Sequence, residues 1–182
     1  MKIIALAASN SRRSINRALA AYVAGLVEGA EVEVLDLNEF EMPIFSEDRE
    51  AAQGHPLEAG QFLHKISEAD ALVISYAEHN GSFSAAYKNV VDWASRIRRQ
   101  VFQGKPTLML ATSPGSGGGA GVLALAEQSA PYFGAEVVDA VSVPRFHDNF
   151  DPAGNCLQDC ETGRRLAQAA RTLRQSALAI AA

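Results

Sequence analysis

Apolar and polar positions along this chain switch between two periodicities. Short, nearly continuous apolar runs occur at Lys2–Ala8, Glu31–Leu37, Ala71–Tyr76, Thr107–Thr112 and Glu136–Val143. Runs of this length predict strands, and the lack of polar interruption predicts burial on both faces. Between them the apolar residues recur at helical spacing. Ile15, Leu19, Tyr22/Val23 and Leu26 predict a helix from about Ser14. Phe62, Leu63 and Ile66 predict a second, which Pro56 can open at its first position. A third is expected from about Ser84 to Gln100, and a fourth from the glycine run near Gly118 to Gly134. A last one is expected from about Cys160, with Leu166, Ala170, Leu173 and Ala177 on one stripe. Asn38–His55, with Pro43 and the polar Ser46-Glu47-Asp48-Arg49, reads as irregular, as does Arg145–Asn155. Strict alternation of strand and helix predicts an α/β domain, a three-layer doubly wound five-stranded parallel sheet with right-handed crossovers. One domain is expected to span residues 1–182.

In such a sheet, ligands bind beyond the C-terminal ends of the strands, where the strand order reverses. Three loops leave those ends: Ser9–Asn16, Ala77–Ser84 and Ser113–Gly119. The first, Ser9-Asn10-Ser11-Arg12-Arg13-Ser14-Ile15-Asn16, lacks both G-x-G-x-x-G and G-x-x-x-x-G-K-[ST]. It instead offers hydroxyls, amides and arginines just ahead of a helix N-terminus. Free backbone N–H groups and the helix dipole favour an anion there, and a monophosphate suits the inventory better than a triphosphate. The same residues also suit a plain capped helix, with Ser14 or Ser11 at the N-cap. In the second loop, Asn80-Gly81 is a strong turn signal, Ser84 can cap the next helix, and His79 and Phe83 add flat or apolar surface. Lys88 and Asp92 fall at i,i+4, the spacing of a helix-surface pair. The third loop, from Ser113 to Gly119, is dense in glycine and can bring backbone N–H groups close to a ligand.

Composition narrows the classes. Sixteen Lys+Arg against 21 Asp+Glu give a formal net charge of −5, which counts against nucleic acid as a partner. The first apolar run is short for a signal segment and has two arginines on its wrong side, so a buried strand is the expectation. No apolar run approaches membrane-spanning length. Two cysteines without a signal suggest a cytoplasmic protein with free thiols. Asp159 can cap the last helix and place Cys160 in its first turn, where a thiol pKa is lowered. Neither the four histidines nor the cysteines show metal-ligand spacing.

With all three loops in view, the chain resembles the NAD(P)H-dependent FMN reductase family, which has a flavodoxin-like fold. The stretch Ala8-Ser9-Asn10-Ser11-Arg12-Arg13-Ser14-Ile15-Asn16-Arg17-Ala18-Leu19-Ala20 resembles the family's G-S-L-R-x-x-S-x-N-R-A-L-A, with Ser9, Ser14, Asn16 and Arg17-Ala18-Leu19 matching. Glu78, Asn80-Gly81-Ser82, Lys88-Asn89 and Asp92-Trp93 match its P-E-Y-N-G-S-x-P-x-x-L-K-N-A-I-D-W. Ala8, Ser11, Ala77, His79 and Ser84 depart from these patterns. His79 replaces a tyrosine that in the family lies close to the flavin.

The resemblance implies strand order 2-1-3-4-5 and an FMN-dependent oxidoreductase. Hydride passes from NAD(P)H through FMN to a flavin, quinone or similar small-molecule acceptor, and no protein group acts as acid, base or nucleophile. It implies FMN contacts from Ser9, Asn10, Ser11, Arg12, Ser14, Ile15 and Asn16 on the phosphate side. Glu78, His79, Asn80, Gly81, Ser113, Gly115 and Gly118 would flank the ring. A homodimer or homotetramer is expected, with Tyr87, Trp93 and Ile97 of the third helix contributing to the interface. The competing readings are a flavodoxin-type electron carrier and a flavodoxin-like binding module without FMN.

Overall fold

Residue-level alternation inside each strand sorts the core into two layers. A computed structural model describes residues 1–151 and 161–181. Its main sheet contains β1 (Lys2–Ala8), β2 (Glu31–Leu35), β3 (Ala71–Tyr76), β6 (Lys105–Thr112) and β7 (Ala135–Val143). These run in the order β2-β1-β3-β6-β7, and every neighbouring pair is parallel. Counting sheet strands alone, this is the expected 2-1-3-4-5, with reversal of order between β1 and β3. The separate strands β4 (Glu78–His79) and β5 (Ser82–Phe83) form an antiparallel hairpin.

Ile4, Leu6, Leu72, Ile74 and Met109 point to one face, where α3 (Leu57–Glu68), α4 (Ala85–Ile97) and α5 (Ala120–Ser129) cover them. Ile3, Ala5, Ala71, Val73, Leu108 and Leu110 point to the other, under α1 (Ile15–Gly25) and α7 (Glu161–Ala181). Period-two alternation with both faces apolar is what a covered parallel sheet requires. No helix among the described residues is long and apolar enough to cross a membrane.

The differences from expectation have local causes. The second strand ends at Leu35, because Asp36 caps a 3₁₀ turn, Leu37–Phe40, by accepting from the Asn38 N–H at 3.0 Å. The polar stretch read as irregular contains a helix, α2 (Glu47–Gln53), which is capped by Ser46 and has no buried residue. Without an apolar stripe, periodicity had nothing to register. A one-turn helix, α6 (Phe146–Asn149), lies in the segment after β7, where Phe146 stacks on Phe150 with centroids 4.5 Å apart. Cys156, Asp159 and Cys160 lie outside the described residues.

Candidate functional site

At the C-terminal edge of the sheet an open cleft of about 230 Å³ lies among the three loops. Its walls come from Ser9, Ser11, Arg13 and Ser14 of the first loop, from Ala77–His79, and from Thr112–Pro114, with Ile15 and Asn16 at the start of α1. The first loop is held by its own hydroxyls. Ser9 Oγ accepts from the Ser11 N–H at 3.2 Å, and Ser14, in extended conformation, caps α1 by accepting from the Arg17 N–H at 3.3 Å. Asn38 Nδ2 donates to the Asn10 carbonyl at 3.1 Å, and Arg17 lies 3.6 Å from Asp36. The Asn38 N–H, burial, the Asn38 side-chain amide and then Arg17 act on the Asp36 carboxyl, and the balance holds it below its ordinary range.

The second loop folds as the Asn80-Gly81 signal predicted. Both residues have positive φ, 51° and 75°, and the His79–Ser82 pair closes a two-residue turn. This is the primed turn that matches strand twist. Glu78 reaches the N-terminus of α5: its Oε2 lies 3.5 Å from the Val122 N–H, and a Cβ added at Gly121 would stand 3.1 Å from Oε1. Negative charge is favoured at that position. Ser84 Oγ accepts from the Tyr87 N–H and donates to the Ala8 carbonyl at 2.8 Å, fastening the hairpin's far end to β1. The third loop is fixed from behind, since the Gly115 and Ser113 carbonyls accept from the Arg145 and Phe146 N–H groups at 2.9 and 3.0 Å.

Of the residues assigned to cofactor binding, Ser9, Ser11, Ser14, Ile15, Asn16, Glu78, His79 and Ser113 line this cleft. Asn10, Arg12, Asn80, Gly81, Gly115 and Gly118 do not line it. Asn10 borders a neighbouring hollow of about 220 Å³ with Phe40, Met42 and Ile44. Gly118 is buried against the end of β7: its carbonyl accepts from Ser142 Oγ at 3.0 Å, and a Cβ would come within 2.8 Å of the Pro144 nitrogen. Arg13, not Arg12, lines the cleft, and among the described residues it has no acidic partner. Nothing in a run of two arginines distinguishes which one turns inward.

The interface expectation for α4 needs correcting. Tyr87 and Trp93 are buried at 5% and 1% exposure inside this chain, and only Ile97 is open, at 43%. Trp93 donates to the Pro43 carbonyl at 2.7 Å and packs edge-on to Phe45, while Asn89 binds the Met42 and Pro43 carbonyls and the Phe45 N–H. The matched Asn89 and Asp92-Trp93 thus include two residues that staple the loop after the 3₁₀ turn. Lys88 and Asp92 form the expected surface pair at 2.5 Å. Burial raises the Tyr76 and Tyr87 hydroxyls well above their ordinary pKa, so both stay protonated in the wall behind the hairpin.

A profile of the NADPH-dependent FMN reductases matches residues 1–148. The chain belongs to this family. It is therefore an NAD(P)H-dependent oxidoreductase whose cofactor is FMN. An NAD(P)H-dependent FMN reductase of Pseudomonas aeruginosa is 31% identical over 162 residues, 87% of this chain and 86% of that protein. A quinone reductase of Escherichia coli K12 is 35% identical over 80 residues, 44% of this chain and 43% of that protein. In structure the reductase is similar to FerB, an NAD(P)H:(acceptor) oxidoreductase of Paracoccus denitrificans, with a TM-score of 0.78, 23% identity and coverage of 98% and 97%.

The inventory of the cleft fits a flavin phosphate. The Ile15 and Asn16 N–H groups open an eleven-residue helix and have no acceptor among the described residues. Ser9, Ser11 and Ser14 add hydroxyls, and Arg13 adds charge. A helix N-terminus with charge-assisted donors around it has the chemistry to take an anion.

Proposed function

We propose that this reductase holds FMN in the cleft and passes reducing equivalents from NAD(P)H to a small-molecule acceptor, a quinone or a free flavin. The observation that carries the reading is the convergence of unpartnered α1 amides, three serine hydroxyls and Arg13 at the strand-order reversal. When bound, FMN supplies the hydride chemistry between NAD(P)H and the acceptor. Ser9, Ser11, Ser14, Arg13 and the Ile15 and Asn16 amides would hold its phosphate. The hairpin residues Glu78 and His79 and the loop from Ser113 would flank its ring. Glu78, anchored at the start of α5, keeps the hairpin in place, and Ala77 and Pro114 contribute apolar wall. The quinone acceptor is supported by the named activity of the Escherichia coli relative and the flavin acceptor by that of the Pseudomonas relative.

The protein works as a homodimer or homotetramer in this reading. The hollow bounded by Phe40, Met42 and the 76%-exposed Ile44 beside the cleft suits a second subunit. An enzyme that consumes NAD(P)H belongs where that reductant is regenerated, and we place it in the cytoplasm.

Titration of the apoprotein with FMN and FAD tests the site. FMN should bind more tightly, because the first loop suits a terminal monophosphate and lacks the glycines that cradle a dinucleotide pyrophosphate. Equal or tighter FAD binding overturns it. NAD(P)H oxidation by the FMN-loaded protein should accelerate on addition of a quinone, and no turnover with quinone or free flavin rejects the acceptor class.

A further inference from the structure

Asn16 lines the cleft, yet its side chain faces inward. It is 3% exposed, and three of its polar contacts go to protein. Its Oδ1 accepts from Ser75 Oγ at 2.7 Å and from the Thr112 N–H at 3.1 Å, and its Nδ2 donates to the Thr112 carbonyl at 3.2 Å. One amide thus takes both main-chain groups of Thr112, as a neighbouring strand would. The β3–β6 ladder ends with Tyr76 opposite Ala111, one residue short of Thr112, and the Asn16 amide serves the next position. On the far side, Thr112 Oγ1 donates to the Val143 carbonyl at 2.6 Å, which continues the tie to β7.

The three residues so joined sit at the roots of the three cleft walls. Asn16 directly follows Ser14 and Ile15, Thr112 directly precedes Ser113, and Ser75 stands two residues before Ala77. We infer that the side chain of Asn16 is a positioning group: its carboxamide sets the spacing between the phosphate loop and the loops that flank the flavin ring and does not bind the phosphate, which is left to the main-chain N–H of the same residue. This rests on the site proposed above. Ser75 is wholly buried and cannot touch a ligand, so it isolates the effect of the brace.

The test measures FMN dissociation by fluorescence and the visible absorption band of bound FMN for Ser75→Ala, Asn16→Ala, the double variant and Arg13→Ala. Losing one buried hydrogen bond corresponds to roughly threefold to tenfold in affinity. Ser75→Ala should weaken FMN by about that factor and move the visible band, because the ring-side loops shift. The double variant should be no worse than Asn16→Ala by more than about twofold, since both break one network. Arg13→Ala should weaken FMN and leave the band where it is, because a phosphate contact is remote from the ring. Wild-type affinity and spectrum in Ser75→Ala overturn the inference. So does weaker binding by Asn16→Ala with an unmoved band, which makes the side-chain carboxamide a phosphate ligand. If Asn16→Ala does not fold, as judged by circular dichroism, the Ser75→Ala result decides alone. Unchanged affinity in Arg13→Ala refutes the phosphate assignment instead, and leaves the band shifts to judge the brace.

Discussion

The two ends of the sheet are both polar, and they use polarity in opposite ways. At the N-terminal edge, charges satisfy one another. Lys2 Nζ lies 2.8 Å from Glu33 and 2.7 Å from Glu68, Lys65 Nζ lies 2.6 Å from Glu33, and the Lys2 N–H donates to Asp70 at 2.7 Å. Hydrogen bonds from Lys2 and Lys65 hold the Glu33 carboxyl below its ordinary pKa, and Glu33 and Glu68 raise that of Lys2. At the C-terminal edge the side chains are mostly small and neutral, two helix amides lack acceptors, and Arg13 has no acidic partner among the described residues. In a parallel sheet with helical crossovers, helix N-termini gather at the C-terminal ends of the strands, so the excess of N–H donors falls there. An edge whose charges are internally paired serves the fold, and one with donors left over has the chemistry to take an anion.

If that contrast holds, neither polar end should carry most of the stability, which lies in the apolar layers. Trp93→Ala leaves a large buried void, removes the bond to the Pro43 carbonyl and loses the Phe45 contact. It should cost about 3–5 kcal/mol of unfolding free energy in urea, and a loss smaller than that of an ion-cluster variant would break the comparison. Arg13→Glu, at the cleft end, should weaken FMN by about tenfold to a hundredfold, the worth of one charge-assisted contact. Its thermal midpoint without FMN should match the wild type, because the guanidinium is exposed and supports no packing.

Glu33→Gln sharpens the other side. It removes the shared partner of Lys2 and Lys65 and should cost only about 0.5–1 kcal/mol at neutral pH, as the groups are partly solvated. FMN affinity should not change. Because the folded state lowers the Glu33 pKa, the carboxylate's contribution is complete above the unfolded pKa and disappears as pH falls through the folded one. Wild type and variant should therefore differ at pH 7 and converge in acid, and a gap that persists at low pH contradicts the ion-pair account. The smallest effect is expected at the rim. His79 is exposed on the hairpin, so His79→Tyr should alter FMN affinity by no more than about threefold. A tenfold change would move His79 from the rim to the centre of the site.

Much of the architecture was legible because it follows from short-range periodicity. The apolar runs predicted all five sheet strands, and Ser14, Ser84 and the Asn80-Gly81 pair announced their caps and turn with the residues that perform them. The helix α2 was missed because none of its residues is buried, so only the Ser46 cap could have revealed it. In the cleft, the serines were readable as donors. The roles of Asn16, Ser75 and Thr112 were not, since their bonds span 59 and 96 residues of chain.

Sequence alone determined the five sheet strands and the apolar helices that cover them, which strand ends bear unusual loops, and, through the resemblance, the flavin-dependent family. Those properties are written in local propensity, spacing and motif. Only the tertiary structure decided that Arg13 rather than Arg12 lines the cleft, that Asn16 turns its amide inward, and that Tyr87 and Trp93 are core. Each of these depends on what arrives from a distant part of the chain to occupy the space beside the residue. A side chain's type states which bonds it can make, and packing selects which partner receives them.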